Sequence, residues 1–187
     1  LRIAALCALV ALVSFDAWAQ QPTPEPAPAS ISLTETLELE AEGGVSFSVP
    51  AWKTPRRESS VAVLERPPVP EDATKAFYMV LLAVEAGPTE GSDVDWKKVQ
   101  ANVIAAAKGD DNALELRLTG DWSGLEGFEG QRMAGTLTAR GQTVDVDLIA
   151  VVRSGRLVTV TVLSARAADA AKRLAESIAK TVRLGDG

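Results

Sequence analysis

Residues 131 to 163 constrain the fold most. Three segments, 131–139, 143–152 and 156–163, carry alternating apolar side chains, and the three-residue links between them hold the two-residue turns Arg140-Gly141 and Ser154-Gly155. A period of two with one apolar side is the mark of a strand with one buried face. Such links are too short for a crossover, so the segments must fold back on one another as antiparallel hairpins. The predicted core sides are Met133 and Leu137, then Val144, Val146 and Leu148, then Val158, Val160 and Val162.

The rest of the chain is read around this meander. Leu37 and Leu39 alternate with Glu38 and Glu40 as a strand, and Glu42, Gly43 and Gly44 form a turn. Val45, Phe47 and Val49 alternate with Ser46 and Ser48 as a second strand that Pro50 ends. Residues 59–65 make a third, short strand. Residues 66–74 hold Pro67, Pro68 and Pro70 and read as loop. Residues 76–85 are apolar up to Glu85 and suit a central strand buried on both faces. A helix follows, capped by Ser92 or Asp93, with Asp95 in its first turn and a stripe of Trp96, Val99, Val103 and Ala107. Lys108 and Gly109 close it. Residues 113–119 alternate Leu114, Leu116 and Leu118 with charged or polar neighbours as a strand, and 120–130 form a glycine-rich connection. Ser164 caps a last helix to about Val182, striped by Ala167, Ala171, Leu174, Ala175, Ile178 and Val182. Runs of strands with two separated helices predict an α+β fold: a mostly antiparallel β-sheet with helices packed on it.

The N-terminus reads as an export signal. Arg2 precedes an apolar run over 3–15, and Ala17 and Ala19 make a small-x-small pattern, so cleavage is expected between Ala19 and Gln20. The run is shorter than the about 20 residues a spanning helix needs. Cys7 lies inside it after Ala4, Ala5 and Leu6, where it serves as an ordinary leader residue. Residues 20–30, QQPTPEPAPAS, form a proline-rich, semi-rigid linker. Residues 31–187 suit one globular domain. The expected location is periplasmic or secreted, with no membrane span after cleavage.

Residue usage removes several chemistries. The chain has no histidine, and its one cysteine is Cys7, which leaves with the signal. A nucleophile activated by imidazole and a zinc site of histidine and cysteine are therefore excluded, and a metal site would have to be built from oxygen ligands. The net charge is −6, with no basic run, which speaks against nucleic acid and anionic membrane surfaces as partners. No cofactor, metal or catalytic residue set is predicted.

Three aromatic residues stand out as candidate partner contacts. Trp122 and Phe128 lie in the glycine-rich connection, and Trp52 follows Pro50 at a strand end. Aromatic side chains on loops are enriched among binding hot spots. The competing reading makes all three plugs at the ends of the sheet. Arg56 and Arg57 read as a solvated loop. Asp145 and Asp147 share a strand face with Thr143 and could act as an acid–base pair or hold a hard cation, but a solvent-facing polar side accounts for them. Asp110, Asp111 and Asn112 lack the spacing of a calcium loop, and the Gly120, Gly124, Gly127, Gly130 series lacks the lysine and helix of a phosphate loop.

The order of elements resembles the PsbP-like fold, shared by photosystem II extrinsic proteins and by a Ran-binding nuclear transport factor of the Mog type. The resemblance rests on the strand Val45-Ser46-Phe47-Ser48-Val49 running into Pro50-Ala51-Trp52, on the Gly127-Phe128-Glu129-Gly130 step into three consecutive strands, and on a closing helix with Ser177-Ile178 near its end. It covers about residues 45–184. It implies an α/β/α sandwich and a binding or assembly role, and carries over no catalytic residues. The expected function is a non-enzymatic exported module that binds a protein or envelope component. The alternative is a carrier of a small apolar ligand held between sheet and helix.

Overall fold

A computed structural model describes residues 31–40, 43–66, 78–90, 93–109, 112–165 and 168–185. The expected signal, its Ala19–Gln20 junction, the proline-rich linker, Asp110 and Asp111 lie outside the described residues.

The central hairpins form as the turn chemistry requires. Arg140 and Gly141 have φ of 51° and 77°, and Ser154 and Gly155 have 51° and 76°. Positive φ at both turn residues matches the strands' own twist, and glycine supplies the second position without strain. The elements in chain order are β1 (Glu35–Leu39), β2 (Val45–Val49), β3 (Lys53–Arg57), β4 (Val61–Glu65), β5 (Tyr78–Ala86), α1 (Trp96–Ala107), β6 (Asn112–Trp122), β7 (Glu129–Ala139), β8 (Gln142–Arg153), β9 (Arg156–Ser164), α2 (Ala168–Ala179) and β10 (Arg183–Leu184). The large sheet runs β3-β4-β5-β9-β8-β7-β6, and a small sheet runs β1-β2-β10. Every pairing is antiparallel. The fold is α+β and mostly antiparallel sheet. No helix among the described residues is long and apolar enough to cross a membrane.

Register sorts the large sheet into two apolar faces. One cross-strand row is Leu81, Thr161, Leu148 and Met133; the adjacent row is Leu82, Val160, Ile149 and Arg132. The first face packs against α1 through Val99, Val103 and Ala107, with Leu114 and Leu116 from β6. The second packs against α2 through Ala170, Ala171, Leu174, Ala175, Ile178 and Ala179. Alanines let the α2 backbone sit close to the valines of β9. The same face is also covered by Leu37, Leu39, Val45, Phe47 and Val49 of the small sheet. Thr181 pins the two covers together: the Ser48 N–H donates to Thr181 Oγ1 at 2.8 Å, and that hydroxyl donates to Ile178 O at 2.7 Å.

Several expected boundaries move. The N-cap of α1 is Asp95, whose carboxylate accepts from Lys98 N at 3.1 Å, and not Asp93; Ser92 lies outside the described residues. Trp96 is only half-buried. Arg56 and Arg57 belong to an edge strand and not to a loop. The β3 pairing with β4 shifts between Lys53 and Arg56, across Pro55, which has no N–H to give. Arg57 Nη2 donates to Glu38 O at 2.8 Å, strapping this edge to β1. Ser164 ends β9 and is fully buried, while the last helix spans Ala168–Ala179 only. Beyond it, Arg183 and Leu184 pair with Ser46 and Val45. β6 extends to Trp122, which shortens the expected glycine-rich connection to residues 123–128.

Candidate functional site

The connection between β6 and β7 places its aromatics inside. Trp122 lies opposite Gly130 in register and is 6% exposed. Gly124 rests on its ring, since a Cβ there would lie 2.6 Å from Trp122 Cζ2. Phe128 is also 6% exposed. The Arg153 guanidinium lies 5.0 Å from the Phe128 ring centroid and donates to Glu126 O at 3.1 Å, closing the loop over the ring. Both aromatics join the core cluster on the α2 face. Of the two readings of these rings, their burial agrees with the plugs at the end of the sheet and not with an exposed contact. The register shift between Leu118 and Gly120 switches the alternation of β6, so Trp122 leaves the face of Leu114 and Leu116 and joins the face already occupied by Val151 and Val158. The loop presents Ser123, Gly124, Glu126, Gly127 and Glu129 to solvent instead. Trp52 is half-buried, with its ring centroid 6.2 Å from that of Tyr78, and the Arg66 guanidinium lies 5.4 Å from the Tyr78 centroid.

A second cluster lies under α2. Tyr78, Ser164, Asp145 and Thr136 are direct partners across β5, β9, β8 and β7. One step along the sheet, Asp147 is 8% exposed. It accepts from Arg132 Nε at 3.1 Å and from Arg132 Nη2 at 2.9 Å. Arg132 Nη2 also donates to Lys172 O of α2 at 3.1 Å, and Arg132 Nη1 lies 3.9 Å from Glu176 Oε2. Lys180 pairs with Glu176 at 2.9 Å. The solvent-facing position expected for Asp147 is therefore corrected. Residues 145, 147, 149 and 151 share one strand face, and α2 roofs it. Burial pushes the Asp147 carboxyl above the ordinary carboxylate range, against the opposing pull of Arg132. Burial also pushes Asp145 up. The hydrogen bond from Lys180 holds Glu176 below its ordinary value.

This arrangement joins helix to sheet. Arg132 spends its donors on one carboxylate and one helix carbonyl, which leaves Asp147 already neutralised and covered. Among the described residues, no three Asp, Glu, His or Cys side chains gather to hold a metal ion. Arg132 was missed in the sequence. The available signal was Asp147 standing in alternation with Ile149 and Val151, since a carboxylate in line with two core residues needs a cationic partner.

No protein-family model matches the chain, and no curated protein matches it. Among solved structures, one from Bacteroides thetaiotaomicron VPI-5482 aligns with 76% of this chain at 11% identity and a TM-score of 0.51. This chain spans 45% of that protein. The match speaks to fold alone. The second is LpqN of Mycobacterium tuberculosis, described as involved in cell envelope biogenesis. It aligns over 86% of this chain and 82% of its own length, at 15% identity and a TM-score of 0.32, too low to argue from. Neither description names the PsbP-like family.

Proposed function

We propose that this chain is an exported module that acts in the cell envelope by binding another protein or envelope component, without catalysing a reaction. The observation that carries this over the ligand-carrier alternative is the seam between α2 and the large sheet. Ala171, Ala175, Ile178 and Ala179 are at most 1% exposed, and they meet Val158, Val160, Val162 and Ile149, equally buried, in one cluster. The chain's own side chains fill the space in which an apolar ligand would sit. Beneath α2, Arg132 is committed to Asp147 and to the Lys172 carbonyl. Binding then falls to the surface, and the loop end of the sheet offers residues 123–128, the Ser154-Gly155 turn and the segment at 87–90. Gly87 N–H donates to Gly155 O at 2.7 Å and Ser154 N–H to Thr89 O at 3.2 Å, so this end is held in a fixed shape. The proposal includes the finer fold, a PsbP-like sandwich of helices about the large sheet, and cleavage of a signal after Ala19.

The test is affinity capture from native envelope, with a Glu126→Lys/Glu129→Lys version beside the parent chain. Both side chains are exposed, so the variant alters the surface and leaves Trp122 and Phe128 in place. One component recovered in near-stoichiometric amount by the parent and lost by the variant supports the module. A lipid or other small molecule co-purifying with the chain in native mass spectrometry, with no macromolecular partner, would install the carrier reading instead.

A further inference from the structure

The two edges of the large sheet are treated differently. β3 is short, carries Pro55 and is crowded with Lys53, Arg56 and Arg57, all devices that discourage strand addition. β6 is 11 residues long, carries neither proline nor a run of like charge, and has no further strand beside it among the described residues. Its straight part is 112–118, before the register shift between Leu118 and Gly120.

Two hydrogen bonds show which backbone groups face outward. Asn112 N–H donates to Gly109 O at 3.3 Å, outside the β6–β7 ladder. Gln100 Nε2 of α1 donates to Leu116 O at 2.5 Å. Alternation along a strand then directs the N–H and C=O groups of 112, 114, 116 and 118 away from β7. The exposed side chains between them are Ala113, Glu115 and Arg117.

We propose that β6 pairs antiparallel with β6 of a second copy of this chain, about a two-fold axis at Leu116. In that register Leu116 faces Leu116 and exchanges both backbone bonds with it, while Glu115 of each copy faces Arg117 of the other. A two-fold at Glu115 or at Arg117 would instead set like charges opposite one another, so the charge pattern selects the register. α1 supplies the second half of the surface. Gln100 reaches the strand edge, and residues four apart share a helix face, so Trp96 and Ile104 flank that edge too. Both are half-buried, as is Leu118. A two-fold axis normal to the sheet brings this apolar stripe to its own copy. Gln100 is the gate: its amide occupies the Leu116 carbonyl that the partner strand needs, so it must swing aside for pairing. This goes beyond the envelope-module reading and stands or falls apart from it.

Sedimentation velocity on the purified chain over a range of concentrations tests the pairing. The parent is expected to show a concentration-dependent monomer–dimer equilibrium. Arg117→Glu and Glu115→Arg alone should each weaken it by about tenfold or more, by setting like charges opposite at two symmetric places. An equimolar mixture of the two variants should regain the dimer, since every facing pair is then opposite in sign. Gln100→Ala should tighten association several-fold. A parent that stays monomeric at all concentrations overturns the proposal. So does a dimer indifferent to both charge reversals, or a mixture of folded variants that fails to pair.

Discussion

Replacing Arg132 with alanine should expose how α2 is held down. The variant removes two hydrogen bonds to Asp147 and one to the Lys172 carbonyl, and leaves a carboxylate that is 8% exposed without a cation in contact. Breaking one side of a buried pair costs about 3–5 kcal/mol, most of it from the charge left behind. The more distant contact with Glu176, at 3.9 Å, adds little because Glu176 is 37% exposed. The pH dependence sharpens the test. Burial already raises the Asp147 pKa in the parent, so the folded state holds its proton to higher pH than the unfolded state does. Stability from this group is therefore greatest in acid and falls as pH rises from the ordinary carboxylate value to the raised one. Losing Arg132 removes the opposing pull, lifts the pKa further and widens that window. Urea denaturation followed by tryptophan fluorescence should give a deficit of about 3 kcal/mol at neutral pH that shrinks by at least about 1 kcal/mol once Asp147 is protonated in the folded variant. Adding Asp147→Asn to Arg132→Ala should recover much of the neutral-pH loss. A deficit independent of pH, or one below about 1 kcal/mol throughout, would refute the assignment of this pair as the helix anchor.

Other expectations follow from single positions. Gly135→Ala places a Cβ against the Glu115 carbonyl of β6, which is backbone and cannot turn aside. We expect a loss of about 2–3 kcal/mol with faster amide exchange along β6, and full stability in this variant would show that the two strands are not so close. Thr161 is 2% exposed between Leu81 and Leu148, and its hydroxyl has no hydrogen-bond partner. Thr161→Val should therefore be neutral or stabilising by up to about 1 kcal/mol in thermal unfolding, and a clear loss would mean that the hydroxyl is bonded. Asp95→Ala removes the carboxylate that accepts from Lys98 N and should cost about 1 kcal/mol, read by chemical denaturation, while Asp93→Ala should cost nothing measurable.

What the sequence disclosed and what it hid divide along the range of the interactions involved. The meander over β7, β8 and β9 was legible because its turns fix its register locally: Arg140-Gly141 and Ser154-Gly155 can close only a two-residue hairpin. The apolar stripe of α2 was legible for the same reason, since Ala171, Leu174, Ala175 and Ile178 lie within one helix. β3 was illegible because Lys53-Thr54-Pro55-Arg56-Arg57 has no strand pattern of its own, and β4 alone makes it a strand. β10 was illegible because it is held by contacts remote in the chain: it pairs with β2, and Thr181 just before it bonds Ser48, 133 residues away. The candidate site failed at the same boundary. Aromatics in a glycine-rich segment look like an exposed loop until β6 proves to run on past a register shift at Leu118–Gly120 that turns Trp122 inward. Asp147 looks like a solvated strand face until α2, some twenty residues later in the chain, is laid over it. A strand's polar side is therefore a prediction about solvent only once the elements that could cover it have been placed. Here the covering helix carries its own anchor, a backbone carbonyl at Lys172. Arg132 converts the buried charge of Asp147 from a liability into the point at which helix and sheet are joined.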